Sequence, residues 1–309
     1  MRNFRFGVQV SRGRSQEHWA KYAQEAEALG YSTLTMPDHC WDQLAPVPAL
    51  MAAAQATTRL RIGSLVFAND YKHPAVLAKE AATLDFLSGG RLELGLGAGW
   101  MTADYDALGL QYDSPGVRIE RLEEGVAIVK AFFTSDPVTF EGRHYQVRNL
   151  MARPRPVQQP HPPIMIGGGG RKMLSLAGRL ADIVGINVDL RSGDMAKVSK
   201  DNLGEAATRE KIDWVKAAAG NRFQDIELQV SAYQVAIDSD GDAARAEAAA
   251  KFGVTPAEVD TVPHVLAGTL DEVVACLQRR RETFGFSYVV VAGEYMRPFA
   301  PVVERLSGR

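Results

Sequence analysis

Short apolar runs rich in β-branched and aromatic residues alternate, about eight times, with longer segments patterned as helices. No other property of the chain narrows its fold as far. Residues 4–10, 32–36, 60–67, 91–96, 163–166, 183–186, 226–232 and 288–291 read as strands. Residues 16–29, 46–56, 75–87, 118–133, 171–180, 208–219, 242–252 and 270–284 read as helices. Ser15 can cap the first helix and Gly30 stop it, and Ser88-Gly89-Gly90 ends the third. Strands that alternate with helices are joined by crossovers, so they run parallel and are buried on both faces. Eight such units close naturally into a ring. The expectation is an α/β chain forming a single (β/α)8 TIM barrel over residues 1–309. A doubly wound open sheet is the alternative.

Three stretches interrupt the rhythm. Residues 136–162 carry a hairpin-like piece (138–140, a turn at 141–143, then 144–147) and a proline-rich run. Residues 189–202 are polar and short on pattern, and residues 255–266 form a late insertion. In a barrel, excursions of this kind are expected at the C-terminal face, over the active-site mouth. The plainer alternative is surface decoration.

Charge and cysteine content exclude several classes. Lys plus Arg is 35 against 37 for Asp plus Glu, a net charge of -2, and no basic run is interleaved with aromatics. Nothing here calls for nucleic acid or an anionic membrane. No apolar run reaches the roughly 18 residues that a membrane span needs. Met1 to Arg5 leads straight into a strand, without a signal-peptide core. Cys40 and Cys276 are too few for a disulfide framework or a thiolate metal site, and no zinc-type spacing occurs. A soluble, cytoplasmic enzyme acting on a small molecule, with no metal, is the expectation.

In a barrel the chemistry sits where strands end. After the second strand comes Met36-Pro37-Asp38-His39-Cys40-Trp41. Asp38 and His39 can exchange protons near neutral pH, or they form a helix cap or a hydrogen-bonded turn. The third strand ends at Ser64-Leu65-Val66-Phe67, apolar and then abruptly polar; it offers a rest for a flat ring or is simply core. The fourth runs into Gly95-Leu96-Gly97-Ala98-Gly99-Trp100, whose alternating glycines permit close approach by a ligand. This is not the dinucleotide fingerprint, because residues 101–114 read as a loop rather than a helix. The fifth meets Gly167-Gly168-Gly169-Gly170-Arg171-Lys172 as a helix begins. Free amides at a helix N-terminus, with two cations, suit a phosphate; a flexible turn is the alternative. No Gly-x-Ser-x-Gly elbow is present.

Five stretches in order carry a family resemblance: residues 35–39, 73–85, 88–100, 118–124 and 163–170. Over residues 4–295 the chain resembles the luciferase-like monooxygenase superfamily, and within it the branch using the deazaflavin coenzyme F-420. The resemblance implies that Asp38 and His39 lie beside the deazaflavin ring. It implies that Ser64, Leu65 and Val66 form a bulge behind that ring, with a non-prolyl cis peptide best placed at Leu65–Val66. Gly99 and Trp100 would line the ring pocket. Gly167, Gly168, Gly169 and Gly170 would bind the cofactor phosphate, anchored by Arg171 and Lys172. Relatives acting on sugar phosphates place a glutamate where this chain has Trp100, which points instead to an apolar or aromatic substrate.

The leading expectation is therefore hydride transfer between F-420 and a small organic substrate, with His39 exchanging the proton and Asp38 orienting it. A reduced FMN at the same turn, activating oxygen for monooxygenation, is the alternative. A non-catalytic barrel that binds a ligand is a second one. Relatives are often homodimers that pack helices near the second and third strands, so a homodimer is expected.

Overall fold

The computed structural model describes residues 1–194 and 197–309. The first strands are β1 (Arg5–Gln9), β2 (Thr33–Met36), β3 (Arg61–Ser64), its continuation β4 (Phe67–Ala68), and β5 (Leu92–Gly97). An antiparallel hairpin, β6 (Val138–Glu141) and β7 (Gln146–Leu150), precedes β8 (Ile164–Gly168) and β9 (Ile183–Ile186). Last come β10 (Glu227–Ala232), β11 (Gln234–Ile237), β12 (Val265–Gly268) and β13 (Phe286–Ala292). The large sheet runs β3-β2-β1-β13-β10-β9-β8-β5-β4, and a β3–β5 pairing closes it. With β3 and β4 counted as one interrupted strand, this is an eight-stranded parallel barrel, the fold expected from the alternating pattern.

The helices are α1 (Gln16–Ala28), α2 (Pro46–Ala56), α3 (Pro74–Leu87), α4 (Thr102–Leu108), α5 (Pro115–Thr134), α6 (Arg171–Leu180), α7 (Glu205–Ala219), α8 (Gly241–Phe252), α9 (Leu270–Phe284) and α10 (Met296–Leu306). Ser15 caps α1 by accepting from the His18 amide, and Gly30 follows at φ +83°. Along β1, Phe6 and Val8 face the helices and join the main core. Arg5, Gly7 and Gln9 alternate with them and face inward, as the two-residue period of a strand requires. The inner face holds its own small apolar layer of Met165, Ile183, Tyr288 and Val290, against Leu65.

Several features differ from the sequence reading. The third strand is not continuous over 60–67: it breaks between β3 and β4, where the Leu65–Val66 peptide is cis. The 101–114 stretch is not all loop, because it contains α4. Seven residues are too few to display a helical period. The 255–266 insertion is a 3-10 turn (Pro256–Thr261) leading into β12, which pairs in parallel with β11 around α8. This nested βαβ unit has its own alanine- and valine-rich core, including Ala236, Ala248 and Val265. α10, which lies beyond the last helical pattern read from the sequence, closes the chain against β1 and α9. Within the 189–202 stretch, residues 195 and 196 lie outside the described residues.

Candidate active site

β2 ends at Met36, before Pro37, which cannot donate to a ladder, so Asp38 and His39 leave the sheet at the C-terminal mouth of the barrel. They open onto a cavity of about 530 Å³, within the range of small-molecule sites. The same cavity is lined by Leu65, Val66, Gly99, Trp100, Gly167, Gly168, Gly169, Gly170, Arg171 and Lys172. All the residues singled out from the sequence therefore meet in one space, except Ser64. Ser64 is buried and laces β3 to β5, donating to the Gly95 carbonyl at 2.8 Å and accepting the Gly95 amide at 3.0 Å. No residue of 136–162 lines the cavity; that hairpin packs along α5, where Glu124 accepts the Arg143, His144 and Tyr145 amides. The mouth is covered instead from residues 188–191.

His39 has a partner that sequence reading did not supply. Its Nδ1 lies 2.6 Å from Oδ2 of Asp104 on α4. Asp104 is 3% exposed. Its Oδ1 accepts the Cys40 amide at 3.2 Å, and Tyr71 donates to its Oδ2 at 3.0 Å. Burial, and then the Asp104 charge, push the Tyr71 phenol above its ordinary range, so Tyr71 stays a donor. The imidazole is held edge-on between Trp41 and Trp100, at 5.5 and 6.0 Å between ring centroids. Asp38, expected to orient His39, faces elsewhere: its Oδ2 accepts the Ala68 amide at 3.1 Å. Burial raises the Asp38 pKa, with the Ala68 bond opposing. The acid in contact with His39 is thus 65 residues away in the chain and not adjacent. An acid in the first turn of a seven-residue helix after a strand-end Gly-Trp was the only signal for it.

The glycines divide by what surrounds them. A Cβ on Gly95 would lie 2.0 Å from the Ser64 carbonyl oxygen, and one on Gly97 2.6 Å from Val66. Gly99 sits at φ +75°, and its Cβ would lie 2.1 Å from the Tyr105 hydroxyl. Protein, not ligand, takes the space these three leave. Gly168 and Gly169 are likewise packed, against Met173 and the Val188 carbonyl. Gly167 and Gly170 meet nothing closer than 3.8 Å, so their backbone is open to the cavity. α6 starts at Gly170 without a side-chain cap, which leaves its first amides free.

Opposite stands Arg118 of α5, 3% exposed and stacked 3.9 Å over the Tyr112 ring. It donates to the Tyr112 hydroxyl and the Asp113 carbonyl, while its buried Nε has no partner among the described residues. The floor carries Gln9, which donates to the Leu65 carbonyl at 2.9 Å, and Gln229, which donates to Ser231 at 3.0 Å. These inward polar residues interrupt otherwise apolar strands, a cue available in the sequence and not used. A roomy cavity with open backbone, helix amides and the cations Arg118, Arg171 and Lys172 in its lining fits a flat cofactor bearing an anionic tail.

The model of the luciferase-like monooxygenase family matches residues 3–283. The chain belongs to the luciferase-like monooxygenase family. Among its luciferase-like relatives is the FMNH(2)-dependent dimethylsulfone monooxygenase of Pseudomonas putida, 27% identical over 248 residues, or 77% of this chain and 64% of that one. Another is the F-420-dependent glucose-6-phosphate dehydrogenase of Microbacterium testaceum, 31% identical over 201 residues, or 61% of this chain and 59% of that one. The match thus spans less than two thirds of either relative's length. The solved coenzyme F-420-dependent tetrahydromethanopterin reductase of Methanopyrus kandleri superposes with a TM-score of 0.78 over 99% of this chain and 98% of that one. At 20% identity that likeness is one of fold.

Proposed function

We propose that this luciferase-like chain is an oxidoreductase that uses coenzyme F-420 for hydride transfer to or from a small organic substrate. The observation that carries the reading is the His39–Asp104 contact in the cavity that also holds the open glycine turn. F-420 when bound supplies the hydride chemistry, and the chain supplies position and proton exchange. With Asp104 accepting at Nδ1, the His39 tautomer is fixed and Nε2 remains to take or give the substrate proton. Tyr71 and the Cys40 amide hold the carboxylate, so Asp104 and Tyr71 act as positioning residues. Leu65 and Val66 would back the ring. Gly167, Gly170 and the α6 amides, with Arg171, Lys172 and Arg118, would hold the phosphate. Trp100, where sugar-phosphate relatives carry an acid, leaves this part of the wall aromatic and favours an apolar or aromatic substrate.

The family also contains FMNH(2)-dependent monooxygenases, and the same turn accommodates an FMN phosphate. Titration with F-420 and FMN, each followed by the melting temperature, separates the readings. Tighter binding of F-420 is expected; preferential binding of reduced FMN would make the chain a monooxygenase. If neither raises the melting temperature, a non-catalytic barrel becomes the better account. Val76, Phe86 and Leu87 of α3 are each about half exposed. Such an apolar face supports the proposal of a homodimer joined near α3, and light scattering would test it.

A further inference from the structure

The choice between phosphates has a physical basis in the loop beside the glycine turn, and this inference rests on the cavity being a cofactor site. Around the free amides of α6 stand several cations. Lys172 Nζ would be 3.9 Å from a Cβ placed on Gly116 at the start of α5. Arg171 lines the same cavity, and buried Arg118 keeps its Nε unpartnered among the described residues. Arg191 lines it as well, but is engaged: its Nε lies 2.7 Å from Asp189 Oδ2, and its amide donates to Asp189 Oδ1 at 3.1 Å.

The Asp189 carboxylate is only 12% exposed. Both its oxygens lie 3.8 Å from where a Gly170 Cβ would be, beside the start of the helix. Its backbone is pressed against the turn as well: a Cβ on Gly169 would lie 2.1 Å from the Val188 carbonyl oxygen and 2.5 Å from the Asp189 nitrogen. A carboxylate is thus built into the wall of an otherwise cationic anion site.

Repulsion from a fixed negative group scales with the charge of the guest. A phosphodiester carries one negative charge at neutral pH, whereas a phosphomonoester carries about 1.5 to 2. By the same scaling the cations alone would favour the monoester, and the carboxylate offsets that preference. We propose that Asp189 is a specificity-determining residue, favouring a cofactor whose phosphate is a diester, as in F-420, over the monoester of FMN.

Fluorescence titrations of wild type and Asp189→Asn with F-420, FMN and phosphate-free riboflavin test this. Asparagine can still accept the Arg191 amide, while its Nδ2 in place of Oδ2 removes the charge and the Arg191 Nε hydrogen bond together. FMN affinity is expected to rise about tenfold in Asp189→Asn, the equivalent of about 1.4 kcal/mol, F-420 affinity by much less, and riboflavin affinity not at all. Arg191→Gln, which leaves the carboxylate uncompensated, is expected to move the FMN-to-F-420 ratio the other way. An unchanged ratio in Asp189→Asn, or a gain shared by riboflavin, overturns the inference. Wild-type protein that binds FMN but not F-420 instead overturns the deazaflavin reading. The FMN-to-riboflavin ratio of Asp189→Asn then decides the role of Asp189 by itself.

Discussion

At the amino-terminal end of the barrel Arg5 reaches Glu93 and Glu227 at 2.6 Å each and lies 3.6 Å over the Tyr288 ring. At the carboxyl end His39 reaches Asp104 at the same 2.6 Å. The first cluster pairs charge with charge among its own members, although buried Glu93 Oε2 has no hydrogen-bond partner among the described residues. Arg61 adds a contact to Glu93 at 2.7 Å. Burial alone would lower the Arg5 pKa, yet Glu93, Tyr288 and Glu227 outweigh it and hold the guanidinium charged. The second cluster is open: His39 and the first α6 residues line the cavity with polar groups that the described residues do not fully satisfy. Polar groups that face a cavity of this size without protein partners mark where a ligand belongs. One end plugs the barrel and the other leaves it receptive.

That contrast can be broken by mutation. His39→Ala is expected to lower turnover about 10²- to 10⁴-fold while leaving the unfolding midpoint nearly unchanged. Unaltered turnover would remove His39 from the mechanism. Arg5→Ala should do the reverse, costing about 3–5 kcal/mol in urea denaturation because Glu227 loses this partner and buried Glu93 keeps only Arg61. Replacing Arg5, Glu93 and Glu227 together by apolar residues should cost less than the single change. Loss of cofactor affinity in folded Arg5→Ala would show that the two ends are not separate.

A second pair of histidines sharpens the comparison. His264 packs against Tyr233 behind the cavity wall and contacts the Ser231 carbonyl at 2.9 Å through Nδ1. Burial, with the Lys211 and Arg280 charges, pushes its pKa down to about 4. A depressed folded-state pKa means that its contribution is intact above the unfolded value near 6.5 and is lost as pH falls through 4. About 3 kcal/mol of stability should disappear over that window. In His264→Asn the window should flatten, as urea midpoints at pH 7, 5.5 and 4.5 would show. Asp104→Asn is expected to have a smaller effect, about 10- to 100-fold on turnover with an altered pH profile. Tyr71→Phe should cost about tenfold or less. An unchanged pH profile in both would make the Asp104 contact merely structural.

The barrel was legible because every barrel strand advertises itself through an apolar run, and the long helices other than α10 through their period. The break at Leu65–Val66 was legible only through family resemblance, since nothing in an apolar run marks its peptide geometry. The cavity residues divide in the same way. Asp38, His39 and the glycine turn sit at strand ends, where position alone marks them. Asp104, Arg118 and Asp189 do not: each reaches the cavity from a helix or loop whose placement depends on the closed barrel. Sequence adjacency misassigned Asp38 as the partner of His39, because alternation in an extended segment turns neighbours apart. β11 and β12 were missed because β11 follows β10 after a single residue and β12 begins within the stretch read as an insertion.

The nested unit makes the seventh crossover a cassette. It enters one residue past β10, at Tyr233, and leaves through Thr269, the cap of α9. Its filling of small side chains is largely its own, but Val235 and Leu266 join the main core, so a replacement loop would have to refill those two positions. Only one of the two splice points touches the cavity, and there it is the Tyr233 ring that a graft would add, remove or resize.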